Sequence, residues 1–235
     1  MEKHFKKHFS LIVISWLIVG CTATNLSKTN RNKITRINLP SPSEVIYQQE
    51  PEFRSHGQAI SMAFGAAIGG AIGAVLISDT RANKTEAQLI KEYLEAEPNP
   101  FSKTLTESLS SKIEDTTNFN VTSSQESDAK LSLIVLEYGI FPVPYRKSYR
   151  PTIKLKSELT DKTGAIVWEY EEKIYSDHEI TAKHYAKDLF NNIEIMKKGF
   201  GEISDFILTN MALHLAGKNI VNSSYEEDCG LTGCI

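Results

Sequence analysis

A basic excess is missing from this 235-residue chain: 26 Lys and Arg stand against 29 Asp and Glu, a formal net charge of -3. No cluster of cations interleaved with aromatics offsets that balance, so the chain lacks the electrostatic footprint of a nucleic-acid binder and no nucleic-acid partner is expected. Cysteine is scarce, three in all, and no second Cys or His pair stands near them to complete a zinc site. No Gly-x-Ser-x-Gly elbow, no Gly-Lys-Ser/Thr and no His-Glu-x-x-His occurs, so the local patterns of hydrolases, phosphate-binding loops and zinc proteases are lacking. The chain therefore reads as non-enzymatic, with no catalytic residue, metal ligand or cofactor expected. The first apolar run, Leu11 to Val19, falls short of the roughly 20 residues that a membrane-crossing helix needs.

What is present begins at the N-terminus. Lys3, Lys6 and Lys7 precede that apolar run, which ends in Ile18, Val19, Gly20 and Cys21. A basic region, a short apolar run and a small residue form a signal-peptide layout. The "IVGC" stretch resembles the lipobox of bacterial lipoproteins. That resemblance implies cleavage before Cys21 and a diacylglycerol on its thiol, with Ile18, Val19 and Gly20 as the cleavage motif. Thr22 after the cysteine, in place of Asp, implies sorting to the outer membrane of a Gram-negative cell, with the body facing the periplasm. Several acyl chains, at about 0.8 kcal/mol per buried methylene, hold far more tightly than the single chain that gives only reversible binding. The membrane is thus one expected partner. In an oxidising compartment the remaining cysteines, Cys229 and Cys234 in "CGLTGC", are expected to form a disulfide.

Residues 21–57 are rich in Asn, Ser, Thr and Pro and read as a flexible tether with at most short extended pieces. Residues 58–78 follow as a glycine-rich apolar helix, with nineteen uncharged residues from Ala59 to Ile77. Gly65, Gly69 and Gly73 recur every four residues. At about 100° per residue they line one slowly drifting groove, the geometry that lets two helix backbones approach closely. The stretch is a candidate contact surface for a second copy or another envelope protein. Its length also permits a membrane span.

Residues 79–218 form the folded body. "EAQLIKEYLEAE" places Leu89, Ile90, Tyr93 and Leu94 on one helical face, and Leu105, Leu109 and Ile113 repeat in a second helix from about Pro100 to Asp115, capped by Ser102 or Asn99. "NFNVTS" is a short strand and "AKLSLIVLEYGIF" a central one. "PTIKLKSELTDKTGAIVWEYEEKIY" is a hairpin: Ile153, Leu155 and Leu159 alternate with Lys154, Lys156 and Glu158, and Ile166, Trp168 and Tyr170 point inward on the return. "HEITAKHYAKDLFNN" reads as a helix. A longer one carries Ile193, Met196, Phe200, Ile203, Ile207, Met211 and Leu215 as a stripe and ends at Gly217. Residues 219–235 are an irregular tail. The expected fold class is α+β, a two-layer sandwich of a roughly four-stranded, mostly antiparallel sheet and packed helices.

In "AKLSLIVLEYGI" and "TDKTGAIVWE" the body resembles the small domains of envelope lipoproteins, including the curli-secretion, penicillin-binding-protein-activator and transporter-auxiliary types. The resemblance implies an accessory role and transfers no site residue. His178, His184 and Asp188 lie in a charged stretch that reads as a solvated face. Tyr138, Phe141, Tyr145 and Tyr149, beside Arg146, Lys147 and Arg150, read as a loop whose aromatics cover the sheet edge, with a partner or headgroup surface as the alternative. The function expected is that of an outer-membrane lipoprotein serving envelope assembly, secretion or transport by partner binding or self-association. A periplasmic lipid- or glycan-binding module is the alternative.

Overall fold

A computed structural model of the chain describes residues 24–55, 86–95, 100–122, 126–175 and 180–221. Ile18, Val19, Gly20 and Cys21, the glycines Gly65, Gly69 and Gly73, the pair Cys229 and Cys234, and His178 lie outside these residues. The elements are helix α1 (Lys28–Lys33), strand β1 (Arg36–Asn38), a 3-10 turn (Pro42–Glu44), β2 (Ile46–Tyr47), β3 (Glu52–Phe53), α2 (Glu86–Glu95), α3 (Phe101–Thr116), β4 (Asn120–Thr122), β5 (Ala129–Pro142), β6 (Tyr149–Asp161), β7 (Ile166–Ile174), α4 (Ala186–Asn191) and α5 (Ile193–Ala216).

The class is α+β, but the sheet has seven strands and mixed direction where about four, mostly antiparallel, were expected. Its order is β4-β1-β5-β6-β7, with β2 and β3 continuing along the same edge of β5 beyond β1. β5, β6 and β7 form an antiparallel meander. β1, β2 and β3 all run parallel to β5, and β4 runs parallel to β1.

The largest correction concerns the expected tether. Ile37 pairs with Ala129, Ile46 with Ile134 and Phe53 with Ile140. Residues 36–53 thus form one interrupted strand along β5. Leu26, Ile34 and Ile37 are buried, Ile37 completely. Polar composition concealed this, because strands of two or three residues carry no readable period and draw their order from the bare edge of β5. Asp128 fastens the start: its Oδ2 accepts from the Thr35 N–H (3.0 Å), the Thr35 hydroxyl (2.8 Å) and the Arg36 N–H (3.0 Å). These bonds hold its carboxyl well below the usual range.

Described helices pack on one face only. α5 lies over β6 and β7 and against α3, burying Met196, Phe200, Ile203, Ile207, Met211 and Leu215 against Ile153, Leu155, Leu159 and Trp168. The stripe predicted a helix from about 193 to 216, and α5 ends as expected at Gly217, in the left-handed region (φ 70). There the Arg31 guanidinium occupies the place a Cβ would take, a cation at the negative end of the helix dipole. Helix α3 begins at Phe101 with Pro100 as its N-cap and no side-chain capping bond, so Ser102 does not cap it; Asn99 lies outside the described residues. Proline's fixed backbone starts the turn.

A register shift between Val135 and Glu137 changes which residues of β5 face the helices. Leu131, Leu133 and Val135 point inward before it, Tyr138 and Ile140 after it, and all five are buried. A second shift at Leu159/Thr160 turns Ile166 outward, 54% exposed, where simple alternation placed it inside. At Gly139 a Cβ would collide with the Glu52 backbone oxygen, so only glycine admits β3 there.

Candidate interaction surface at the hairpin end

The outer face of the meander is charged. Lys154 pairs with Glu171 (2.6 Å), Lys156 with Glu158 (2.8 Å) and Glu169 (3.1 Å), and Lys173 reaches across β6 to Glu137 (2.6 Å). These pairs occupy the outward positions of the same strands whose inward positions build the core. At the upper end of this face, Arg54 binds Glu52 (2.7 Å) and Glu137 (3.3 Å) and lays its guanidinium 4.1 Å from the centre of the Phe141 ring. Its hydrogen bond to Glu52 raises the Arg54 pKa. Residue 54 also stands where the described chain nears the glycine-rich segment.

The turn between β5 and β6 crowns that end. Ser148 O accepts from Val143 N–H (2.9 Å) and Val143 O from Arg146 N–H (3.2 Å). That second bond closes a four-residue turn with Pro144 and Tyr145 at its centre. Proline suits the first central position, and the second demands positive φ, ordinarily supplied by glycine. Tyr145 sits there at φ 56 and is the sole non-glycine residue at positive φ among the described residues. A bulky side chain in this region is strained by about 1–3 kcal/mol. Its ring is fully exposed (105%), so no packing within the described body offsets the strain. Arg146 and Lys147 beside it are also exposed.

Below the turn lies a rigid aromatic base. Tyr149 stacks on Phe53 (5.5 Å, 28°), Phe53 meets Phe190 edge-on (5.2 Å), and the Tyr93 hydroxyl donates to Phe190 O (3.1 Å). His184 exchanges two backbone hydrogen bonds with Tyr149. Tyr185, next to it, and Tyr175, just past β7, are half exposed, and the Lys173 ammonium lies 5.0 Å from the Tyr175 ring.

The structure therefore divides the aromatic and basic cluster read from sequence. Tyr138, Phe141 and Arg150 are buried and Tyr149 is half-buried. Tyr138 meets Tyr47 edge-on at 5.5 Å, and burial with the nearby Glu95 charge pushes the Tyr47 phenol up to about 12. Tyr145, Arg146 and Lys147 remain as the outward group. His184 and Asp188 do not share a helix face, because α4 starts only at Ala186. Sequence reading missed Arg54, Tyr175 and Tyr185. The one local signal was Pro144, which marks a turn without fixing its type.

A second feature is a cleft of about 490 Å³ bounded by Leu94 of α2, Phe101 and Thr104 of α3, and Glu194, Lys197 and Gly201 of α5. Among the described residues no group of three His, Cys, Asp or Glu side chains is placed to hold a metal, and no helix is long and apolar enough to cross a membrane.

No protein-family model matches the chain, and no curated protein matches it. Among solved structures the chain is similar to protein XCC0632 from Xanthomonas campestris, of family model DUF330 (15% identity, 51% of this chain and 64% of that one, TM-score 0.37). It is similar also to the PelC dodecamer from Paraburkholderia phytofirmans (10% identity, 85% of this chain and 96% of that one, TM-score 0.39). A candidate lipoprotein from Caulobacter crescentus CB15 is a third (16% identity, 57% of this chain and 96% of that one, TM-score 0.34). Each is a distant likeness of backbone path.

Proposed function

We propose that this protein is a non-enzymatic, lipid-anchored protein of the outer membrane that serves the cell envelope by binding a partner, or a second copy of itself, through its hairpin end. The observation that carries the reading is Tyr145. A fully exposed aromatic ring held in a glycine-type conformation stores strain that no packing of its own side chain offsets, and such strain concentrates where a contact is made. Two flanking cations and the half-exposed Tyr175 and Tyr185 supply the aromatic and basic chemistry of recognition surfaces. The lipobox resemblance supplies the anchor at Cys21. Gly65, Gly69 and Gly73 belong to the segment that follows Arg54 in the sequence, and their four-residue spacing supports a helix-packing role in the same association.

The test substitutes Tyr145→Gly and places a photo-crosslinking residue at position 147 in intact cells. The expected result is a protein at least as stable as the parent, because glycine accepts this φ freely, with its cross-linked adduct lost. An unchanged adduct would sink the reading. In the same assay, Gly65, Gly69 and Gly73 changed to Leu should remove a self-adduct if the partner is a second copy.

The cleft beside α2, α3 and α5 favours a second reading, a binding module for a lipid or glycan. Its volume suits a small ligand. Native mass spectrometry of the purified protein would then find a co-purified ligand that a Gly201→Trp variant lacks.

A further inference from the structure

The chain that follows Cys21 meets the folded body almost at once. Thr24 bridges to Glu169 on the free edge of β7, with Thr24 N–H donating to Glu169 O at 3.0 Å and Glu169 N–H to Thr24 O at 3.4 Å. Leu26 is buried, Ser27 caps α1 through Asn30 N–H (3.1 Å), and Arg31 lies against Gly217. The segment is fastened at successive points and offers no slack. Only Thr22 and Ala23 separate Cys21 from Thr24, so the two Cα atoms stand at most about 11 Å apart even when the chain is extended.

That reach defines a patch. Ile166, 54% exposed, lies three residues before Glu169 on β7, about 10 Å along the strand. At the other side, Asn210 holds Val221 through two backbone bonds (2.9 and 3.0 Å) and also binds Glu172 (3.0 Å), three residues after Glu169. Val221 is 52% exposed and Ile220 beside it is exposed too. Lys33 and Lys162 line a cleft of about 250 Å³ with Val167, Asp128 and Asp161; Lys162 pairs there with Asp128 (3.2 Å), and Lys28 is exposed on α1. The nearest carboxylates of β7, Glu169 and Glu171, are already paired with Lys156 and Lys154. Aliphatic tips with lysines around them suit the headgroup region of a phospholipid layer.

We propose that the Ile166 end of the β7 edge, with Ile220 and Val221 beside it, rests on the phospholipid surface that holds the Cys21 acyl chains, and that the strands slope away from it so that the hairpin end with Tyr145 lies farthest off. The inference rests on acylation of Cys21. It replaces a body on a long leash by a body docked in one orientation. The two ends of the sheet stand about 40 Å apart along β6, which has 13 residues, so the hairpin end reaches outward to meet partners.

The test uses the full-length acylated protein in vesicles of phosphatidylethanolamine and phosphatidylglycerol whose acyl chains are brominated. Trp168 is fully buried and Trp16 lies before Cys21, so an added surface indole reports its own surroundings. Ile166→Trp should be quenched several-fold more than Tyr145→Trp. Equal quenching, stronger quenching at position 145, or none at either site overturns the orientation. Should Ile166→Trp fail to fold, Ala165→Trp in the same turn takes its place. Mass spectrometry of the Cys21 peptide separates the two failures. An unacylated cysteine sinks the lipoprotein reading and the orientation with it, whereas an acylated cysteine without preferential quenching sinks the orientation alone.

Discussion

Leu155 and Lys156 are adjacent in β6, yet they belong to two different surfaces. Leu155 is fully buried beneath α5, and Lys156 lies in the ion-pair lattice of the outer face, held by Glu158 and Glu169. The contrast teaches where stability resides. Inward side chains are removed from water and close-packed, each contributing about 1.5–3 kcal/mol by burial. Outward pairs remain partly solvated, and exposed ion pairs contribute about 0–1 kcal/mol. The outer face can therefore change its charges at little cost to the fold.

The comparison breaks most sharply at its apolar side. Leu155→Ala should lower stability by about 2–5 kcal/mol, through lost burial and the cavity left behind, read as a reduced midpoint in urea with an unchanged slope. Ile37→Ala should cost about 2 kcal/mol by the same mechanism. That value would place the N-terminal strand within the cooperative core, whereas a change near zero would return it to the status of a tether.

A smaller effect is expected from Glu172, which sits on the inner face yet carries a carboxyl. It accepts from the Tyr170 hydroxyl (2.8 Å) and Asn210 Nδ2 (3.0 Å). Burial outweighs both bonds and raises its pKa above 4.5. With the folded pKa raised, the native state binds the extra proton. Its contribution to stability is thus fullest below the unfolded pKa and falls away as pH rises through the folded one. Glu172→Gln should flatten that part of the stability profile, as thermal melts between pH 4 and pH 7 would record.

The smallest change is expected on the outer face. Lys156→Gln should alter stability by less than about 1 kcal/mol. Glu158 chiefly, with Glu169, raises the Lys156 pKa against the opposing effect of burial. The stabilisation is present below pH 10.5 and is lost as pH rises through the folded value. Added salt should shrink the difference between variant and parent in denaturant titrations.

Much of this architecture was legible because its signals are long and local. The alternation of β6 and β7 and the apolar stripe of α5 each repeat many times, and both elements lie where the pattern placed them. The N-terminal strands escaped for the opposite reason. Their order comes from β5, more than 80 residues downstream, and no local period in "RINLPSPSEVIYQQEPEF" announces it. Ile166 was misplaced because one extra residue at a bulge reverses the facing of a strand, an event that alternation alone does not foresee. Of the outward surface, Tyr145, Arg146 and Lys147 were within view. Arg54 was not, since its partners Glu137 and Phe141 meet it only through the pairing of β3 with β5.

The interrupted strand along β5 also bears on solubility. A bare edge carrying Leu131, Leu133, Val135 and Ile140 would be a template for foreign strands and for aggregation. The N-terminal segment covers that edge in three pieces of 3, 2 and 2 residues, separated by the turn at Pro42 and by Pro51. Pieces so short, broken by proline, give an incoming strand little to pair with. The segment thus shields the most adhesive strand of the protein, and among the described residues only the three-residue β4 continues the sheet on that side.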